Sequence, residues 1–132
     1  SGTGSFGLEC LSRKAKHVCF VENYMGILPI LKNNLSNLKT VKNYSIIEKN
    51  ILIDIDFLEK KEKFDIIFLD PPYKEKKINI ILNNLYKFKT LKPEGIIIIH
   101  RHKKEEDNFP KEFKIIEEKK YGISKIIFGK FI

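Results

Sequence analysis

The sequence predicts an α/β fold, a mostly parallel sheet with helices on both faces, closed by a C-terminal antiparallel hairpin. Three observations predict it. Strand-like and helix-like stretches alternate along most of the chain. Two short, nearly continuous apolar runs, 64–70 and 95–100, read as strands buried on both faces. The last two strand-like stretches are joined by a short glycine-containing connection, which marks a hairpin. The 132 residues suit a single domain spanning 1–132.

Residues 5–14 read as a helix and 17–22 as a short buried strand. The stretch 24–38 places Ile27, Leu28, Leu31, Leu35 and Leu38 at helical spacing, so it reads as an amphipathic helix, with Pro29 either kinking it or marking its first turn. Residues 44–48 read as a strand, and 51–60 as a short helix with weak periodicity. After the 64–70 strand, residues 76–89 form a helix with Ile78, Ile81, Leu82 and Leu85 on one side. The strand at 95–100 is followed by a charged stretch, 101–112, whose mixed-sign run from Arg101 to Asp107 reads as a solvated surface loop. Strands at 113–119 and 124–131, joined through Tyr121-Gly122-Ile123, complete the chain.

With 42% hydrophobic and 32% charged residues the chain can build a core under a solvated surface, which excludes disordered and fibrous classes. The net charge of +8 fits a polyanionic partner such as RNA or DNA, and fits equally a Lys-, Ile- and Asn-rich composition that has drifted as a whole. Cys10 and Cys19 match no metal or redox spacing and read as reduced, buried thiols. No signal peptide is evident and the apolar runs are too short to span a membrane, so a cytoplasmic protein with no membrane partner is expected. His17, His100 and His102 have no clustered partners in sequence and read as surface or loop histidines, with no metal site.

Two motifs carry chemistry. Gly2-Thr3-Gly4-Ser5-Phe6-Gly7 fits G-x-G-x-x-G, whose glycines allow a sharp turn and close approach of a ligand to the backbone. Glu22 closes the next strand about 20 residues on, where an acid can accept hydrogen bonds from ribose hydroxyls. The pair implies an adenosine-containing cofactor, nicotinamide dinucleotide and S-adenosylmethionine alike. Such a loop normally follows a strand and no strand-like stretch precedes Ser1, so the sequence is expected to lack its first strand.

The second motif is Asp70-Pro71-Pro72-Tyr73, directly after a buried strand and so at the carboxyl edge of the sheet, where open α/β folds bind ligands. Two prolines fix the backbone and remove two N–H donors, and the first also pushes Asp70 to an extended conformation. The segment therefore presents acceptors: the Asp70 carboxylate and backbone carbonyls. An exocyclic amine on a nucleobase is a poor nucleophile because its lone pair is delocalised. Acceptors that grip its hydrogens localise and aim that pair, and Tyr73 can stack on a base taken out of its helix. Lys74, Lys76 and Lys77 follow at once and can meet phosphates.

In order and content, the glycine loop with Leu8-Glu9, then Phe20-Val21-Glu22, then Phe64-Asp65-Ile66-Ile67-Phe68-Leu69-Asp70-Pro71-Pro72-Tyr73 resemble class I S-adenosylmethionine-dependent methyltransferases. Nearly the whole chain is similar to the RsmD-type family, which methylates guanine N2 in 16S ribosomal RNA. Leu91-Lys92-Pro93-Glu94-Gly95 and Lys120-Tyr121-Gly122 extend the likeness. The resemblance implies a Rossmann-like sheet and S-adenosyl-L-methionine held by Gly2, Thr3, Gly4 and Gly7, with Glu22 on the ribose. It puts Asn50 nearest the adenine, with Asp54 and Asp56 as competitors. Asp70 and Pro71 would grip the target amine, Asp70 would also contact the cofactor, Pro72 would complete the catalytic segment, and Tyr73 would stack on the guanine. It implies a monomer acting on ribosomal RNA within the small subunit. His100 departs from the pattern, standing where an acid is common. Alternative readings are an adenine-N6 methyltransferase acting on DNA or RNA, a non-catalytic RNA-binding subunit with the same fold, and a nicotinamide oxidoreductase, which leaves Asp-Pro-Pro-Tyr unexplained.

Overall fold

The computed structural model describes residues 2–38, 42–54, 56–60, 63–72 and 75–132. The chain forms two compact units, Ser1–Asp54 and Ile55–Ile132.

In the first unit, helix α1 (Ser5–Ser12) leads into strand β1 (Val18–Val21), helix α2 (Leu28–Ser36) and strand β2 (Tyr44–Ile47). β1 and β2 pair in parallel, Val18 opposite Tyr44 and Val21 opposite Ile47. Pro29 lies in the first turn of α2, where its missing N–H costs nothing, so the helix starts there instead of kinking. Leu11, Phe20, Leu31 and Leu35 form the core, with Leu8, Val18, Leu38, Tyr44 and Ile46 packed around them. Gly7 is required by this packing. A Cβ there would lie 2.3 Å from Cε1 and 2.5 Å from Cζ of Phe20. Cys10 and Cys19 are free and half-buried, less enclosed than the sequence suggests, and burial raises the Cys10 thiol above its ordinary range.

The second unit begins with a 3₁₀ turn (Asp56–Lys60), followed by β3 (Phe64–Leu69), α3 (Ile78–Lys87), β4 (Leu91–His102), β5 (Phe113–Tyr121) and β6 (Ser124–Phe131). Its sheet runs β3-β4-β6-β5, with β3 and β4 parallel and the β4/β6 and β5/β6 pairs antiparallel. The hairpin turn consists of Gly122 and Ile123. Only Gly122 has positive φ, at 56°, as a type II′ turn requires at its first central residue. Ile78, Ile81, Leu82 and Leu85 of α3 are buried, as are Ile97 and Ile99 of β4 and Ile127 of β6. Tyr86 of α3 meets the ring of Phe131 at 5.3 Å, tying helix to sheet.

The expectation that the 64–70 strand is buried on both faces is corrected. Asp65 is exposed and Ile66 is 52% exposed, because β3 ends its sheet and pairs only with β4 among the described residues. β4 is also longer than its apolar run. It absorbs Leu91-Lys92-Pro93-Glu94, with a register irregularity opposite Phe64 to Ile66. The outer strand β5 is mostly exposed and carries Lys114, Glu117, Glu118, Lys119 and Lys120, charges that keep an open edge from pairing. No helix among the described residues is long and apolar enough to cross a membrane.

Gly7→Ala is expected to lower stability by about 1–3 kcal/mol, because the Phe20 ring in the core must shift to admit the methyl group. Thermal or urea denaturation measures this, and Phe20→Leu in the same chain should recover part of the loss.

Candidate functional site

The first half of the constellation lies in the first unit. Gly4 sits at φ 85°, turning the chain directly into α1, and as the residue before the helix it offers no side-chain cap. Such a helix start presents donors and a partial positive charge toward anionic groups. Gly2 also has positive φ, and nothing lies within 4 Å of the place a Cβ would take, so the backbone is open at Gly2, whereas at the buried Gly4 a Cβ would lie 2.6 Å from Leu31 Cδ1. The Thr3 hydroxyl is 3.2 Å from that of Ser5. Asn34 of α2 donates from Nδ2 to the Thr3 carbonyl at 3.0 Å, a tether the sequence analysis misses because its partner is a backbone atom.

Glu22 is brought to this loop. Its Oε1 accepts the Gly2 N–H at 2.7 Å, while Oε2 accepts those of Asn23 and Tyr24 at 3.1 Å each. Burial raises the carboxyl group, and the N–H groups of Gly2 and Tyr24 that donate to it act against this by favouring the charged form. The carboxylate thus ties the loop to the end of β1.

Asn50 follows β2. Its Oδ1 accepts the Leu52 N–H at 3.0 Å and its own N–H donates to Asp54 Oδ2 at 3.1 Å, so Asn50 and Asp54 stabilise one turn together. Asp56, the third candidate, is exposed at the start of the 3₁₀ turn.

The second half lies in the second unit. Asp70 follows the last residue of β3, its side chain 50% exposed, and Pro71-Pro72 continue from it. Tyr73 and Lys74 lie outside the described residues. Lys76 pairs with Glu105 at 2.5 Å, and Lys77 is exposed just before α3.

Two residues that the sequence analysis sets aside hold this segment. His100 is not an idle loop histidine. Its Nδ1 is 2.8 Å from Asp70 Oδ1 and its Nε2 is 2.9 Å from Ser124 Oγ. Arg101 corrects the reading of 101–107 as a solvated run. Its side chain is 0% exposed, and Nε and Nη2 donate to the two oxygens of Asp107, itself 2% exposed, at 2.9 and 3.0 Å. Nη1 donates to the Pro72 carbonyl at 3.0 Å and Nη2 to the Glu75 carbonyl at 2.7 Å. One guanidinium thus binds the carbonyls of both Pro72 and Glu75, and the Glu75 N–H also donates to the Pro72 carbonyl at 2.9 Å. A signal for Arg101 was present: Ile97, Ile99 and Arg101 alternate along one strand and share its buried face.

Residues 1–130 match the family described as Conserved hypothetical protein 95. The chain belongs to this family. Ribosomal RNA small subunit methyltransferase D of Haemophilus influenzae is 34% identical over 131 residues, covering 93% of this chain and 64% of that protein. A solved structure from Haemophilus influenzae aligns with a TM-score of 0.78 and 32% identity over 97% of this chain and 80% of that one. Another, from Streptococcus pyogenes, aligns with a TM-score of 0.84 and 27% identity over 97% and 79%. These likenesses bear out the RsmD-type resemblance and the α/β class. The chain spans less than two-thirds of the length of the curated relatives it matches.

Arg101→Ala should cost about 3–5 kcal/mol, because it leaves the Asp107 carboxylate buried without its partner. Urea denaturation measures the loss. Arg101→Met combined with Asp107→Leu should recover the part due to the stranded Asp107 charge, while the Pro72 and Glu75 carbonyls still lack their donor.

Proposed function

We propose that this chain is the catalytic domain of an enzyme that moves a methyl group from S-adenosyl-L-methionine to the exocyclic N2 amine of a guanine in small-subunit ribosomal RNA. The observation that carries the reading is the Asp70-Pro71-Pro72 segment, an acceptor-only stretch at the end of a parallel strand with its carboxylate held by His100. An amine bound there donates its hydrogens to acceptors fixed in advance, which is how positioning and electrostatics lower the barrier to attack on a sulfonium methyl.

The first unit supports the cofactor half of the reading. The open backbone at Gly2, the exposed Thr3, the turn at Gly4 into the start of α1, and Glu22 suit the carboxylate, amino and ribose groups of S-adenosylmethionine. Gly7 serves by letting α1 approach Phe20. Asn50 is the proposed adenine contact, with Asp54 completing its turn. The bound cofactor supplies an electrophilic methyl group, and the chain's residues bind and orient.

The matched family runs through both units, which supports one Rossmann-like class I domain over 1–132 with a mostly parallel sheet. Tyr73 is proposed to stack on the guanine and Pro71 and Pro72 to fix the acceptors. The naming of the Haemophilus influenzae relative supports ribosomal RNA as the substrate, hence a cytoplasmic site of action, and the net charge of +8 suits that partner. The enzyme is proposed to act as a monomer without metal.

The deciding experiment incubates the full-length protein with labelled S-adenosylmethionine and small ribosomal subunits from a strain lacking the endogenous enzyme, followed by nucleoside analysis. N2-methylguanosine is expected. N6-methyladenosine would replace the guanine reading with the adenine one, and no label with cofactor binding intact would point to a non-catalytic subunit. Asp70→Ala should reduce turnover roughly 100-fold or more while changing cofactor affinity little. Glu22→Ala should weaken cofactor binding by about tenfold, equivalent to ~1.4 kcal/mol, and also lower the melting temperature through the lost Gly2 contact. Calorimetric titration with S-adenosylhomocysteine separates the two effects.

A further inference from the structure

We propose that His100 is the positioning residue for Asp70 and that Ser124 fixes His100 in the ring tautomer this requires. The inference rests on the reading of Asp70 as the group that grips the target amine.

The arrangement follows from strand register. β3 and β4 are parallel with Leu69 opposite Ile99, so the next residues, Asp70 and His100, come side by side. β4 and β6 are antiparallel with Ile126 opposite His100 and Ser124 opposite His102. Side chains two apart on a strand share a face, so His100 and Ser124 are diagonal neighbours on one face. Three adjacent strands therefore place a carboxylate, an imidazole and a hydroxyl in a row. The separations are 2.8 Å from Asp70 Oδ1 to Nδ1 and 2.9 Å from Nε2 to Ser124 Oγ.

The chemistry of the three groups sets the direction of the bonds. A carboxylate only accepts, so Nδ1 of His100 carries the proton and donates it to Asp70. The Ser124 hydroxyl is able to donate to Nε2, which leaves Nδ1 as the protonated nitrogen of the ring. The bond to Asp70 is charge-assisted and among the stronger kinds. It matters because half of the Asp70 side chain meets solvent, and a carboxylate in water turns freely between rotamers. With Oδ1 tied to a strand residue, the other oxygen keeps a fixed direction for an incoming amine. Arg101, the next residue, holds the backbone of the same segment through Pro72 and Glu75. His100 thus orients the side chain and Arg101 the main chain.

The test compares His100→Asn with His100→Gln. Asn places its amide nitrogen near the position of Nδ1, whereas Gln places it near Nε2. His100→Asn should keep kcat within a few-fold of the wild type, and His100→Gln and His100→Ala should lower it on the order of 100-fold, the scale of a misplaced catalytic group. KM for the subunit and S-adenosylhomocysteine affinity should change little in all three. Equal rates for the Asn and Gln variants, or a wild-type rate for His100→Ala, would overturn the inference and leave the methyl-transfer reading standing. If His100→Ala does not fold, the Asn and Gln pair still decides.

A second measurement does not depend on activity. Long-range ¹⁵N–¹H spectra of the histidine rings should show His100 protonated on Nδ1 alone, and Ser124→Ala should mix the tautomers. A His100 ring protonated on Nε2 alone would overturn the inference even in an enzyme that transfers methyl groups. A wild-type protein that transfers none would defeat the functional reading, and the spectra would still decide the positioning.

Discussion

A guanidinium sealed from water is an expensive thing to build, and the second unit is organised around one. Arg101 is out of solvent and its charge is met by the Asp107 carboxylate, which is sealed almost as completely. That pair has little to offer stability by itself, since removing two charges from water costs about as much as their attraction returns. Its value lies in the donors left over. After Asp107 is satisfied, the planar fork still has N–H groups aimed at the carbonyls of Pro72 and Glu75. The prolines at 71 and 72 remove donors from that segment, so its carbonyls need partners from elsewhere. Arg101 supplies them, and the Asp107 segment is drawn in to neutralise Arg101.

The fold makes this possible by ordering its strands. Parallel pairing of β3 with β4 brings the end of one beside the end of the other. Antiparallel return of β6 then puts its start beside the same end of β4. Consecutive residues of β4 face opposite ways, so one position can serve the Asp70 side chain while the next serves the backbone beyond it. The first unit solves its own problem by tight packing. The glycine loop is held by the Glu22 carboxylate and by the Asn34 amide, and α1 lies against Phe20 because position 7 has no side chain.

Much of this was legible in the sequence. The apolar spacing in 24–38 and 76–89 marked α2 and α3, although both helices are shorter than their periodic stretches. The continuous apolar runs marked β3 and β4, and Gly122 marked the hairpin. The glycine loop, Glu22 and Asp70 stood out because each motif is contiguous or set at a characteristic spacing. What stayed hidden depends on partners distant in sequence. His100 reaches Asp70 across 30 residues and Ser124 across 24, and nothing near it hints at either. Arg101 opens a run of charges of mixed sign, a pattern that normally means solvent, and only its phase with Ile97 and Ile99 separates it from its neighbours. Burial on both faces was overestimated for β3 because an apolar run records what a strand tolerates, not how many neighbours it has.

The register irregularity between β3 and β4 has an evolutionary consequence. It lies at the entry to the pair, between Phe64 and Ile66, while from Ile66 and Ile96 onward the two strands run in step to Leu69 and Ile99. One residue gained or lost on the entry side can be absorbed by the irregular stretch. The same change between Ile96 and His100 would exchange the faces of the two side chains, turning the imidazole to the buried face and the guanidinium to the face of the aspartate. Lineages of this protein should therefore vary in length around 91–95 and keep the spacing from 96 to 101 unbroken.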